Sequence, residues 1–216
     1  MVDRQIRQRG VRDARILDAM STVPRHLFVP PDRRSEAYAD HPLPIGFGQT
    51  ISQPYIVARM CSLLDLQPED RVLEIGTGSA YHAAVLSRLV REVYTVEIVE
   101  PLAERARAVL ERLGYDNVRI RVGDGYRGWA EAAPFDAIVL TAAPPKIPQP
   151  LLDQLAVGGK LVAPVAGRLV TITRTEQGLL TEKGDPVRFV PMTGEAQEGR
   201  RPAEADAESG PPGLPN

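Results

Sequence analysis

The sequence predicts an α/β fold: a doubly wound, mostly parallel sheet with a helical and loop-rich addition before it and a β addition after it. Three observations carry that expectation. From residue 56 to about 166, strand-like and helix-like apolar periodicities alternate, the pattern of βαβ units on a parallel sheet. An apolar strand runs straight into a Gly-x-Gly turn and then a helix at Val72-Leu73-Glu74-Ile75-Gly76-Thr77-Gly78-Ser79-Ala80. Hydrophobic residues make up 43% and charged residues 25% of the 216, a globular balance in a chain long enough for one buried core.

Taken in order, residues 1–30 read as helical, with Ile6, Ile16, Leu17 and Met20 on one face and a stop at Val23-Pro24. Residues 31–55 hold turn signals at Pro42, Pro44, Gly46 and Gly48. Their apolar content (Tyr38, Leu43, Ile45, Phe47, Ile51) predicts an ordered functional loop. Next come helix 55–64, strand Arg71–Ile75, helix 81–90, strand Val93–Val96 and helix 101–113. Strands Val118–Val122 and Ala137–Leu140, a short helix around 148–155 and strand Lys160–Pro164 complete the core. Leu169–Thr173 and Val187–Val190 suggest a hairpin turning near Gly184-Asp185. One domain is therefore expected over 1–194, made of an N-terminal addition (1–55), a core (56–166) and a C-terminal β addition (167–194). Residues 195–216 carry almost no large apolar group and are expected to be disordered.

Several function classes are disfavoured. The net charge is −2 and the arginines are dispersed, which argues against a nucleic-acid partner. The first ten residues are polar, unlike a signal peptide. No apolar run approaches the roughly 20 residues that cross a bilayer. The single cysteine, Cys61, reads as a core residue and allows no internal disulfide. His26, His41 and His82 show no metal spacing, so no metal is expected. These features suit a cytoplasmic chain without a membrane partner, expected to act as a monomer.

The glycine turn points to a nucleotide-like ligand, because glycine lets a ligand approach the backbone closely. Strand Val93–Val96 ends in Glu97, about 20 residues after Gly76, where a carboxylate reaches ribose hydroxyls. The competing reading of Glu97 is a solvated charge at a strand end. Glu74, two residues before Gly76, would repel a pyrophosphate. It suits S-adenosylmethionine, which carries a sulfonium and an ammonium and no phosphate. After the next strand, Gly123-Asp124-Gly125 offers Asp124 to an adenine amino group, although Asp between glycines is also ordinary turn chemistry. The cofactor set is thus Glu74, Gly76, Thr77, Gly78, Ser79, Glu97, Asp124 and Gly125, on a Rossmann-like fold; a nicotinamide dehydrogenase is the weaker alternative.

Further blocks narrow the choice: Val23-Pro24-Arg25-His26-Leu27-Phe28-Val29-Pro30, the run from Pro42 to Pro54 that contains Gln49-Thr50-Ile51-Ser52-Gln53-Pro54, Phe135-Asp136-Ala137-Ile138-Val139 and Val187-Arg188-Phe189-Val190-Pro191. With the cofactor turn, they make the chain resemble the protein-L-isoaspartate O-methyltransferases from about residue 3 to 194. The resemblance implies methyl transfer from S-adenosyl-L-methionine to the free α-carboxylate of L-isoaspartyl residues in damaged proteins and peptides. The ester then closes to a succinimide, whose hydrolysis returns some normal aspartate. Ser52 matches the family's active-site serine. Two positions depart from the family: Ala80 stands where glycine is usual, and His82 where glutamine is usual.

A carboxylate is already ionised at neutral pH, so its methylation needs orientation more than a base. Ser52 is accordingly expected to aim the substrate carboxylate as a hydrogen-bond donor; the competing reading is a cap on the helix near Pro54. Thr50, Ile51, Gln53, His82, Thr141 and Arg188 are the candidate substrate residues, with Arg188 placed on a strand. If His82 acts as a neutral contact, activity should decline as pH falls through about 6.5. Two other readings remain open at this stage. One is a dedicated peptide-aspartate methyltransferase of natural-product maturation; the other is a cofactor-binding module without turnover.

Overall fold

A computed structural model describes residues 1–197; residues 198–216, most of the tail expected to be disordered, lie outside the described residues. The N-terminal stretch is less uniform than its periodicity suggests. A π-helical turn Val2–Ile6 and a 3-10 turn Arg7–Arg9 precede helix α1 (Ala14–Thr22). Asp13 starts α1 by accepting a hydrogen bond from the Arg15 N–H at 2.8 Å, a favoured cap.

The loop expected at 31–55 contains a small hairpin, β1 (Leu43–Gly46) and β2 (Gln49–Ile51). Phe47 and Gly48 turn it with φ of 53° and 69°, the paired left-handed geometry that matches strand twist. Helix α2 (Pro54–Leu64) follows with proline in its first turn, where a missing N–H costs nothing.

The core elements are β3 (Arg71–Ile75), α3 (Tyr81–Ser87), β4 (Glu92–Glu97), α4 (Glu100–Leu113), β5 (Val118–Val122), β6 (Phe135–Leu140), α5 (Gln149–Asp153), β7 (Leu155–Val165), β8 (Arg168–Thr175) and β9 (Gly178–Pro186). The seven-stranded sheet has the order β5-β4-β3-β6-β7-β8-β9. It is parallel from β5 to β7 and antiparallel beyond. Side-chain alternation splits the interior into two layers. Val72, Val93, Ala137, Val139 and Val162 meet residues of α1 to α4 on one face. Leu73, Ile75, Val96, Ile138 and Leu140 meet Leu151 of α5 and Ala132 on the other.

The C-terminal addition differs from expectation. The hairpin turns at Glu176-Gln177, between β8 and β9, and Gly184-Asp185 lies inside β9. Residues 187–190 are not a strand, so Arg188 sits on a connecting segment. That segment returns to the core: the Val187 N–H donates to the Gly167 carbonyl and the Ala143 N–H to the Val190 carbonyl, both at 2.8 Å. The ordered chain also runs slightly past the expected boundary, through a 3-10 turn at Gly194–Gln197.

The middle of the sheet should dominate stability. Ile138, fully buried on β6, is expected to lose about 2–5 kcal/mol on Ile138→Ala. Leu180→Ala, at a residue 61% exposed on β9, should stay within about 0.5 kcal/mol. Denaturant midpoints of the two variants check this contrast.

Candidate active site

The chain passes from β3 outward to β5 and then returns to β6 on the other side of β3. The connections that leave the carboxyl ends of β3 and β6 therefore diverge, although the strands stay paired through Ile75 and Leu140, and this opens the ligand crevice of an α/β sheet. Gly76 begins the turn after β3 with φ 97°, and its N–H donates to the Val96 carbonyl at 2.9 Å. Thr141, just past β6, braces the turn: its Oγ1 donates to the Ile75 carbonyl at 3.0 Å and lies 2.5 Å from the Gly76 carbonyl. A Cβ added to Gly76 would strike this Oγ1. Gly125 leaves equally little room above Ile75. Ala80 starts α3 in the left-handed region, with φ 66°. Glycine would take that conformation freely, whereas alanine carries a cost of about 1–2 kcal/mol.

The acids lie beneath and beside this turn. Glu74 faces Thr95 across the β3–β4 ladder, and Thr95 Oγ1 donates to Glu74 Oε2 at 2.6 Å. Thr77 Oγ1 joins Thr95 Oγ1 at 2.7 Å, so the strand-end acid is tied to the glycine turn. Glu74 is fully buried, and its Oε1 has no hydrogen-bond partner. Burial pushes its carboxyl up to about 8, against a lowering by the Thr95 hydrogen bond, with Glu97 raising it further. His82 Nδ1 stands 3.8 Å from Glu74 Oε1, and His82 Nε2 stands 3.4 Å from Cys61 Sγ. Burial pushes His82 down to about 4, so the two groups meet as neutral partners near neutral pH. The pH decline expected near 6.5 is thereby corrected, because desolvation keeps the ring uncharged through that range.

Glu97 accepts from the Gly78 N–H at 2.7 Å and the Val99 N–H at 2.9 Å. It is not a solvated charge: it fixes the glycine turn and the start of α4 while keeping a lone pair on each oxygen. Asp124 accepts from the Tyr126 and Glu195 N–H groups at 2.9 and 2.8 Å. The turn chemistry is real, and its neighbour Gly125 lines the crevice.

A crevice opens at the carboxyl ends of β3 and β4, the kind of place where small-molecule sites of α/β sheets occur. The expected Glu74, Gly76, Thr77, Gly78, Ser79 and Glu97 line it, as do Ile51 and His82. A second groove holds Gln53 and Arg188. Thr50, Ser52, Thr141 and Val190 line both spaces. Ser52 does not cap α2: Gln53 holds the cap position, and no side chain caps the helix. Gln53 instead donates to the Asp40 carboxylate at 2.7 Å. Three features escaped sequence reasoning, namely buried Arg25, the Thr95–Thr77 link and the Cys61–His82 contact. Only the second left a signal, since parallel strands 71–75 and 93–96 pair Glu74 with Thr95.

The donor set fits a cationic nucleoside, because an undonated buried carboxylate oxygen favours a cation and a shielded glycine turn admits a flat ligand edge. Glu97→Gln would turn an amide N–H toward a backbone donor and remove bonds to a charge worth roughly 1.5–3 kcal/mol. Affinity for S-adenosyl-L-homocysteine should fall at least about tenfold by calorimetry; an unchanged affinity would remove Glu97 from the site.

Comparison with known proteins places this geometry. A model of the protein-L-isoaspartate(D-aspartate) O-methyltransferase family matches residues 1–197. A protein-L-isoaspartate O-methyltransferase of Gloeobacter violaceus is 58% identical over 200 residues, covering 90% of this chain and 98% of that protein. One of Synechococcus sp. is 56% identical over 203 residues, covering 89% of this chain and 83% of that one. A solved protein-L-isoaspartate O-methyltransferase superposes with a TM-score of 0.81 at 30% identity, over 90% of this chain and 66% of the other. A Plasmodium falciparum structure described as a putative enzyme of this kind, in complex with S-adenosyl-L-homocysteine, gives 0.75 at 26% identity, over 87% and 94%. The chain belongs to the protein-L-isoaspartate(D-aspartate) O-methyltransferase family.

Proposed function

We propose that this chain methylates the free α-carboxylate of L-isoaspartyl residues and that Ser52 aims that carboxylate. Family membership makes it an S-adenosyl-L-methionine-dependent methyltransferase acting on isoaspartyl-containing proteins, in protein repair. The observation that carries the residue assignment is the place of Ser52. Its side chain makes no hydrogen bond among the described residues, and it lines both the crevice and the groove where they meet.

When bound, S-adenosyl-L-methionine supplies an electrophilic methyl group on a sulfonium. The chain's own residues do the remaining work. Glu97 would keep a lone pair on each oxygen for the ribose, Asp124, beside the lining residue Gly125, would offer its own to the adenine amino group, and Glu74 would meet the ligand's positive charge. The glycine turn, Gly76 to Ser79, and Gly125 permit close approach. Ser52 donates to the carboxylate, already ionised near neutral pH, so no base has to be engaged. Thr50, Gln53 and Arg188 line the groove that receives the peptide. Holding the two reactants in line contributes up to roughly 7–11 kcal/mol in well-oriented systems.

The division into an N-terminal addition (1–55), a core (56–166) and a C-terminal addition (167–194) is part of this reading. The first supplies Ser52, and the third supplies Arg188. A cytoplasmic monomer without nucleic-acid or membrane partners agrees with the net charge of −2. No helix of the described residues is long and apolar enough to cross a membrane.

Label transfer to matched isoaspartyl and aspartyl peptides tests the reaction; equal labelling of both would overturn the substrate assignment. Ser52→Ala should lower turnover roughly ten- to a hundredfold, the worth of a hydrogen bond to a charged group, with Tm and cofactor affinity nearly intact. Ser52→Asp should be stable and nearly inactive, because its carboxylate opposes the incoming one. A Ser52→Asp variant at wild-type rate would sink the serine assignment.

A further inference from the structure

Arg25 is among the largest fully buried side chains of the described residues. It opens a 3-10 turn, Arg25–Leu27, directly after Pro24. Its Nε donates to the Ala37 carbonyl at 2.6 Å, and its Nη2 donates to the Ser52 carbonyl at 2.7 Å. The guanidinium carbon lies 4.6 Å from the centroid of the Tyr81 ring. Among the described residues Nη1 has no hydrogen-bond partner, and no carboxylate forms a salt bridge with this arginine. Burial lowers the group to about 10, so it stays charged at neutral pH.

An uncompensated buried cation is a costly way to hold a fold together. The arrangement is explained by what the fork reaches. One arm holds the turn after residues 31–36; the other holds the backbone of Ser52, between β2 and α2; the flat face rests on the first residue of α3. We propose that Arg25 is a positioning residue for methyl transfer, fixing the Ser52 backbone so that its hydroxyl is aimed at the meeting point of crevice and groove. The inference rests on the reading of Ser52 as the residue that orients the substrate carboxylate. Arginine suits the task because its rigid planar fork reaches two carbonyls at once, while a lysine ammonium is a single compact point. A displacement of about 1 Å in such an aiming group costs about a hundredfold in rate.

The test compares Arg25→Lys and Arg25→Met, each alone and combined with Ser52→Ala, at temperatures well below every Tm. The readouts are kcat and KM on an isoaspartyl peptide and the Kd for S-adenosyl-L-homocysteine. Arg25→Lys should lose about tenfold in kcat/KM, and Arg25→Met about a hundredfold, with the Kd within about twofold of wild type. In the Ser52→Ala background the same lysine change should cost less than about threefold, because its route of action is already removed. Should Arg25→Met fail to fold, Arg25→Lys, which keeps the buried charge, decides alone. Arg25→Lys with wild-type kcat and KM would overturn the inference, as would an undiminished loss in the Ser52→Ala background. Ser52→Ala at the wild-type rate would instead overturn the serine reading itself. Impaired Ser52→Ala beside unimpaired Arg25→Lys would sink the positioning claim alone.

Discussion

The carboxylate of Glu74 accepts one short hydrogen bond, from Thr95 at 2.6 Å, and its other oxygen has no donor although no part of the residue reaches solvent. An isolated buried anion costs several kcal/mol, so without a cation beside it the group holds a proton well above the ordinary carboxylate range. The rest of the site is arranged around that constraint. The Thr95–Thr77 link carries it to the glycine turn, and Glu97 closes the same turn from the neighbouring strand by accepting the Gly78 N–H. His82, kept neutral by burial, offers no compensating charge. A ligand that brings a positive charge to this floor meets an acid able to release its proton. A pyrophosphate would meet no cation there.

Topology then decides where the chemistry is exposed. The crevice lies over the paired carboxyl ends of β3 and β6, and Thr141, just past β6, brings a hydroxyl to its lining. The N-terminal addition brings Ser52 across the mouth, and the segment after β9 lays Val190 against the same edge. In the reading proposed above, cofactor recognition thus sits on the core, and substrate recognition on the two additions. The two departures from the family fall on the seam: Ala80 bears a left-handed backbone, and His82 packs against Glu74 and Cys61. Both belong to the start of α3, where the core and the Ser52 loop are joined through Tyr81 and Arg25.

Much of this was legible in the sequence because local and tertiary signals agreed. Strands 71–75 and 118–122 carry β-branched apolar residues between sharp polar stops, and both have the expected bounds. The glycine turn and its acids follow from spacing alone. The hairpin at the C-terminus was misplaced because Gly184-Asp185 is a strong turn signal. In the fold these residues lie within β9, while the chain reverses at Glu176-Gln177, ahead of Gly178 with φ 136°. The competing reading of Ser52 as a helix cap falls because its backbone stands one residue too early for that role. Arg25 left no trace, since an arginine in a proline-flanked segment reads as a solvated charge and only tertiary packing buries it.

The central claim is that Glu74 binds a cation by giving up a proton, and titration calorimetry tests it most directly. S-adenosyl-L-homocysteine, which carries an ammonium, is titrated at pH 7 in two buffers of different ionisation enthalpy. With the acid near 8 before binding and lowered by its new partner, about one proton should be released per ligand, and affinity should rise about tenfold per pH unit between pH 6 and 7. Glu74→Gln should abolish both effects. Binding by the wild-type protein with no proton exchange and a pH-independent affinity would contradict the account.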